Sequence, residues 1–346
     1  MRFDKFYMQK IAIVILNWNG KTFLEKFLPA LVLHTPSWAE IVVADNASSD
    51  DSIEFIRSRY PKIRLIENGE NYGFAKGYNV ALQQIDAEYY CLLNSDIEVS
   101  VEWVEPIINY LDNNCDVAIC QPKLLSFAQK DHFEYAGAAG GFVDKYGYPF
   151  CRGRLFDCVE KDEGKYDNVK EIFWATGACM FIRSKIYHEL SGLDDDFFAH
   201  MEEIDLCWRA KNAGYKVMYI PDSTVYHVGG GTLPKNSPRK TYLNFRNNII
   251  LLYKNLPAYR IPWVFSLRLA LDMVAAVRFL FDSGWGDFAA VFKAYFSFYG
   301  SLRKNRKKRS RTPHRKVSQT YTKSIVFEYY IHRKKQFSDL NPRDFS

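Results

Sequence analysis

Several familiar signatures are missing from this sequence, and each absence removes a class of function. There is no G-x-x-x-x-G-K-[ST] run and no G-x-G-x-x-G following an apolar strand. P-loop nucleotidases and dinucleotide dehydrogenases are therefore poor readings, since both need such glycines to bring backbone N–H groups against phosphate. The seven cysteines (Cys91, Cys115, Cys120, Cys151, Cys158, Cys179, Cys207) form no C-x-x-C pair and no zinc-like spacing. An odd, scattered set reads as free thiols, mostly small buried residues, in a reducing compartment. Long apolar runs are also lacking. The first, Ile11 to Leu16, is too short for a signal-peptide core, so a cytoplasmic protein is expected. The longest, Ile261 to Phe281, is interrupted by Arg268, Asp272 and Arg278, each costly at a bilayer centre. Neither an internal repeat nor a long Gly/Ser linker is found.

What is present is an ordinary folding composition: 48% apolar and 25% charged residues over 346 positions, enough for one large domain or two. Charge is divided unevenly. Residues 231–346 carry 23 Lys/Arg against 6 Asp/Glu, whereas residues 1–230 carry 23 against 34. An acidic body with a basic tail points to an anionic partner for the tail. Because the run Arg303-Lys304-Asn305-Arg306-Lys307-Lys308-Arg309 adjoins an aromatic amphipathic stretch, membrane surface is the expected partner and nucleic acid is not. We place a catalytic domain at 1–235 and a helical, basic, membrane-associating extension at 236–346.

In the first half, apolar runs at 11–16, 41–44, 63–66 and 89–93 each end in a polar cluster. Helical patterns at 21–33, 50–59, 75–85 and 101–113 separate them. This alternation predicts an α/β fold with a mainly parallel sheet. The polar clusters fall at the carboxyl ends of the strands, where open α/β sheets bind ligands. They are rich in acids and amides. Acids repel phosphate unless a divalent cation lies between, so a nucleotide site of this composition implies Mg²⁺ or Mn²⁺.

Val14-Ile15-Leu16-Asn17-Trp18-Asn19-Gly20 and Val43-Ala44-Asp45-Asn46-Ala47-Ser48-Ser49-Asp50 resemble the opening of family-2 glycosyltransferases with the GT-A fold. The likeness continues through Glu70–Asn79, Leu92–Asp96, Thr176–Met180, Phe197–Arg209 and Tyr226-His227, covering roughly 9–255. It is closest to the rhamnosyltransferase-like branch that builds bacterial cell-surface polysaccharides. Each motif is weak alone; their order and spacing make the set specific.

The resemblance assigns roles residue by residue. Asp45, past the second strand, matches the carboxylate that accepts the imide N–H of uracil or thymine, as an acceptor-only group can. Asn17 resembles a residue lining the same nucleoside pocket, with a turn role as the alternative. Any cap of the helix near Asp50 is expected from Ser48 or Ser49. Gly73 opens a helix whose N-terminus suits phosphate, and Lys76 either reaches the diphosphate or is solvated. Asn79 is a possible backbone anchor. Asn94-Ser95-Asp96 stands where the family carries Asp-x-Asp, which leaves Asp96 as the metal ligand, with His227 completing the shell. Glu203 matches the general base. It is Glu where the family has Asp, so the base stays open between Glu203 and Glu202. Asp205 and Arg209, at i and i+4, read as a structural pair. Pro234–Lys240 resembles a mobile lid, and Trp174 with Phe197-Phe198 offers aromatic faces for the acceptor. Tyr242, Arg246 and Asn247 form a pattern recurrent in this branch with no role assignable from physics.

The resulting expectation is an inverting, metal-dependent transferase using a nucleotide-diphosphate sugar. A dTDP- or UDP-sugar, with dTDP-rhamnose among the candidates, would donate to a lipid-linked saccharide at the inner face of the membrane. A non-catalytic scaffold with the same fold, or a sugar nucleotidyltransferase, is the alternative.

Overall fold

The computed structural model describes residues 9–229, 237–309, 311 and 313–346. The alternating pattern folds in the expected order: β1 (Gln9–Asn17), α1 (Lys21–His34), β2 (Ala39–Asp45), α2 (Ser52–Arg59), β3 (Arg64–Glu67), α3 (Gly73–Leu82) and β4 (Ala87–Asn94). A short β5 (Ile97–Val99) precedes α4 (Glu105–Asn113). This helix starts later than the pattern suggests, because Glu102 sits at φ 56 and Pro106 occupies the first turn. Then come β6 (Val117–Ser126), the short strands β7 (Gly141–Asp144), β8 (Pro149–Cys151), β9 (Arg154–Leu155) and β10 (Cys158–Val159), then β11 (Lys170–Ile172) and β12 (Cys179–Arg183). Helices α5 (Ser184–Glu189) and α6 (Glu202–Ala213) lead to the long β13 (Lys216–His227).

The main sheet has the order β11-β13-β6-β12-β4-β1-β2-β3, with β5 added to β13. Strands β4, β1, β2 and β3 are parallel, while β12 runs antiparallel to both β4 and β6. The chain winds outward from β1 to β3, then crosses back to place β4 on the other side of β1. That reversal opens a crevice at the carboxyl ends of β1 and β4. Ile11, Ile13 and Ile15 pack with α1 and α4 on one face, while Ala12 and Val14 pack with α3 on the other. Burial on both sides is why this strand reads as an unbroken apolar run.

The C-terminal part comprises α7 (Pro238–Asn255), α8 (Ile261–Asp282), α9 (Trp285–Gly300) and α10 (Leu302–Arg309), then β14 (Thr320–Tyr321) and α11 (Ile325–Tyr330). The helices match the expected extension, but the last thirty residues return to the body. β14 pairs in parallel with β7, completing a second sheet of order β10-β9-β8-β7-β14. Tyr321, Phe337 and Phe345 pack on Phe142 and Phe150, and Asp144 accepts a bond from Ile325 N at 2.9 Å. Aromatic burial, which charge counting ignores, draws this segment back. All seven cysteines are unpaired and five are buried.

Candidate functional site

Strand register places the residues expected at the nucleotide site. Asn17 lies opposite Asp45, and Leu16 opposite Asn94, so the ends of β1, β2 and β4 form one ledge. Asp45 is enclosed there: it accepts bonds from Asn17 Nδ2 at 3.0 Å, Ser48 N at 2.8 Å and Ser48 Oγ at 2.6 Å. Two of the three fall on Oδ2, so the unused acceptor capacity lies mainly on Oδ1. Asn17 Oδ1 is buried with no partner, and a Cβ on Gly20 would lie 2.4 Å from it. The next turn rests on Asn19, at φ 51, whose Oδ1 accepts from Ser49 N at 2.7 Å. Ser48 and Ser49 do not cap α2, contrary to expectation. Asp51 is the N-cap residue and makes no side-chain cap bond, while the Asp50 carboxylate before it accepts from Ser52 N at 3.1 Å. Trp18, within the opening motif, is half exposed and has no role assigned from sequence.

Gly73 permits a close contact. Its φ is 73, and a Cβ would lie 2.7 Å from the Phe198 ring. The next N–H, of Phe74, donates to Phe198 O at 2.9 Å. Lys76 is exposed and its ammonium sits 3.9 Å from the Tyr72 ring centroid. Asn79 anchors backbone as expected, but at the 193 loop: its Nδ2 donates to Leu193 O at 2.7 Å and its Oδ1 accepts from Tyr187 OH at 2.6 Å.

Asn94 N donates to Ala178 O at 2.9 Å, holding the Thr176–Ala178 segment against the end of β4. The turn then carries Asp96 into β5, which pairs antiparallel with the end of β13 and sets His227 opposite Ile97. Asp96 and His227 thus meet from 131 residues apart, with 3.2 Å between Oδ1 and Nε2. Glu134 Oε1 lies 3.3 Å from His227 Nδ1 on the other side. Burial opposes charge on His227, but the flanking Asp96 and Glu134 carboxylates outweigh it and raise the imidazole pKa to about 10. Glu134 escaped the sequence analysis because it lies in a loop without recognisable spacing.

This donor set suits a hard divalent cation. A carboxylate oxygen faces one imidazole nitrogen, and a second carboxylate orients the ring from behind, the arrangement that metal-bound histidines use. Among the described residues, no three His, Cys, Asp or Glu side chains are arranged to hold an ion alone. Two protein donors would leave the remaining positions to diphosphate oxygens.

The acids of α6 divide sharply. Asp205 is fully buried and accepts from Arg209 Nε at 2.7 Å, Lys254 Nζ at 2.9 Å and Asn255 Nδ2 at 2.9 Å. It is the structural tie expected, and it also fastens α7 to α6. Glu202 and Glu203 each have a buried Oε2 without a partner. Burial raises Glu203 to about 7 against several backbone N–H groups that pull it down. Burial, then the neighbouring Glu203 charge, pushes Glu202 well above the usual carboxylate range. Glu202 is 4% exposed, whereas Glu203 keeps partial access to solvent. A Cβ on Gly177 would lie 3.7 Å from Glu203 Cβ, which sets Glu203 beside the β4 ledge.

The segment leading into these acids is conformationally unusual. Phe198, His200 and Met201 have φ values of 63, 70 and 73, each carrying a cost for a non-glycine residue. Two residues of the unassigned α7 pattern hold it in place. Asn247 Nδ2 donates to the carbonyls of Phe197, Ala199 and His200 at 3.0, 2.8 and 2.8 Å. Arg246 donates to Asp196 O and Phe197 O at 2.8 and 3.1 Å, while Tyr242 bonds Ser297 Oγ at 2.9 Å. Trp174 and Phe197 do not offer aromatic faces to an acceptor. Both are buried: Trp174 against the second sheet, with its Nε1 donating to Phe142 O at 2.9 Å, and Phe197 under α7, its ring centroid 5.2 Å from Lys254 Nζ. Phe198 is the accessible ring of the three. Of the expected lid, residues 234–236 lie outside the described residues, and Ser237 caps α7 by accepting from Lys240 N at 3.2 Å.

Residues 12–188 match the family model described as Glycosyl transferase family 2. N-acetylglucosaminyl-diphospho-decaprenol L-rhamnosyltransferase of Mycobacterium tuberculosis is 23% identical over 235 residues, 63% of this chain and 75% of that protein. dTDP-rhamnosyl transferase RfbF of Shigella flexneri is 24% identical over 276 residues, 75% and 83% of the two chains. Among solved structures, GalNAc-T7 with UDP, GalNAc and Mn²⁺ superposes with a TM-score of 0.59 at 16% identity. The match takes in 94% of this chain and 57% of that one, and it is a likeness of fold, the GT-A architecture.

Proposed function

Since the chain belongs to glycosyl transferase family 2 and has the GT-A fold, we propose that it is an inverting, metal-dependent transferase of cell-surface polysaccharide synthesis. The donor is a dTDP- or UDP-sugar, with dTDP-rhamnose the first candidate. The acceptor is a hydroxyl of a lipid-linked saccharide met at the inner face of the cell membrane. The names of the two rhamnosyltransferase relatives support these classes. The observation that carries the reading is the meeting of Asn17, Asp45 and Asn94 on one ledge, with Asp96 in the turn that follows and the unpartnered Glu203 carboxylate beside it.

In this reading Asp45 and Asn17 hold the base, and Asp96 with His227 would hold Mg²⁺ or Mn²⁺. When bound, the cation supplies charge neutralisation to the departing diphosphate. Glu203 takes the proton of the acceptor hydroxyl as that oxygen bonds to the anomeric carbon and the carbon–oxygen bond to the diphosphate breaks on the opposite face. Attack from opposite the leaving group inverts the centre, and no covalent enzyme intermediate is needed. Glu203 is preferred to Glu202 because a base must reach its substrate, and Glu202 is enclosed whereas Glu203 keeps partial access to solvent.

Thermal unfolding with UDP-, dTDP- and GDP-sugars, with and without Mn²⁺, tests this. One nucleotide class is expected to stabilise the protein only with metal, by about 2.7 kcal/mol at a hundred times its dissociation constant. Asp96→Asn is expected to abolish the metal-dependent part. Folded protein that no sugar nucleotide stabilises would overturn the reading.

A further inference from the structure

Helix α8 is built inside out. Its buried residues are Val264, Arg268, Asp272 and Ala276. The ion pair faces the body, where Asp272 accepts from Tyr148 OH at 3.1 Å and Tyr295 OH at 2.9 Å, and Arg268 lies 3.8 Å over the Tyr148 ring. The opposite face is apolar and open: Trp263 is 81% exposed, Val274 68% and Phe281 82%. Positions 263, 270, 274, 277 and 281 follow helical spacing, so they form one stripe. Neighbouring α9 repeats the pattern at 285, 292, 296 and 299, with Trp285 69% and Phe296 76% exposed. Its one acid, Asp287, is turned inward to Thr241. A water-facing helix would bury its rings, whereas here an ion pair on α8 and an acid on α9 are buried while most of the stripe's rings face out.

The basic run ends beside this surface. α10 contains six Lys/Arg and no acid. Part of it fixes α10 to the catalytic body: Lys304 bonds Asp196 at 2.5 Å, and Lys308 bonds Asp194 and Asp196. Arg309 donates to Leu256 O at 2.6 Å. Asp194 and Asp196 thus hold part of the basic run against the body. Arg303, Lys304, Arg306 and Lys307 together line an open depression. No helix among the described residues is long and apolar enough to cross a membrane.

We propose that the outward stripes of α8 and α9 dock onto an anionic lipid bilayer, lying in its interface while Arg303 and Arg306 of α10 engage the headgroups. The proposal rests on the lipid-linked acceptor above for its purpose, whereas the surface is read from these helices alone. Exposed Trp and Tyr suit the lipid–water boundary. Adjoining cations suit an anionic headgroup layer. The exposed acid nearby, Asp282, is neutralised by Arg278 at 2.8 Å. Two rings and an aliphatic stripe on α8 and four rings on α9, with cations at one end, fit a bilayer better than a protein groove.

Flotation of the full chain with vesicles of phosphatidylcholine, alone or with phosphatidylglycerol, tests it. Wild type is expected to float with the anionic vesicles. Trp263→Ser/Phe281→Ser/Phe296→Ser, all at exposed positions, is expected to bind at least about tenfold more weakly with an unchanged melting temperature. Arg303→Glu/Arg306→Glu is expected to lose the preference for phosphatidylglycerol. Equal flotation of wild type and the triple variant would overturn the proposal. So would a wild-type dimer that the triple variant converts to monomer without any vesicle binding, which would assign the face to a second copy. Donor-induced thermal stabilisation reads the active-site proposal separately in all these variants.

Discussion

Asp205 and Glu203 lie two residues apart on α6 and are treated in opposite ways. Asp205 faces α7 and receives three bonds from Arg209, Lys254 and Asn255, so despite complete burial its pKa is lowered by the Lys254 and Arg209 charges. Glu203 faces the ledge, receives no side-chain partner, and is raised to about 7 by burial. One carboxylate spends its charge on holding two helices together. The other is left with a proton affinity near neutrality, where a base is most effective. Burial alone therefore distinguishes neither structure from chemistry; the presence of a compensating cation does.

The largest expected effect is at the unpaired acid. Glu203→Gln is predicted to lower kcat by about 10²–10⁴, the usual worth of a general base. A raised folded pKa means that stability falls as pH climbs from the unfolded value towards 7, because the unfolded chain releases its proton first. Urea unfolding is thus expected to show Glu203→Gln more stable than wild type at pH 8, with the gain shrinking at pH 5. A variant of equal activity, or one with its gain at pH 5, would break the comparison. At the paired acid the effect falls on stability: Lys254→Met leaves Asp194 and Asp205 short of a cation and is expected to cost about 3–5 kcal/mol in urea unfolding at pH 7. Since Asp205 is held low, its contribution is present at neutral pH and fades as pH falls through its folded pKa. The smallest effect is at the clamp between them. Asn247→Ala frees the carbonyls of 197, 199 and 200 and is expected to reduce kcat about tenfold to a hundredfold through misplacement of Glu203. Donor-induced thermal stabilisation should be unchanged. Loss of donor binding together with kcat would show that the clamp serves the whole fold.

Much of this was legible before any coordinates. The four apolar runs of the first half became β1 to β4 because strands buried on both faces leave a continuous signal. The pair Asp205–Arg209 followed from helical spacing alone. Glu134 was invisible because its proximity to His227 depends on a loop of no fixed length meeting the end of β13. Arg246 and Asn247 were visible as a pattern without a role, since their partners are backbone carbonyls some fifty residues away. Trp174 and Phe197 misled, because a sequence does not say which of many aromatic rings the core will claim.

By itself, then, the sequence determined the α/β alternation, the polar ledge at the strand ends, the family and the uneven distribution of charge, all of which are local or additive properties. Tertiary structure alone decided which acids have raised proton affinity, which basic residues are bound to the body, and that α8 turns its ion pair inward and its rings out. Those outcomes depend on what lies across a contact. A helix pattern shows that two faces differ, and only the packing partner determines which of them meets water.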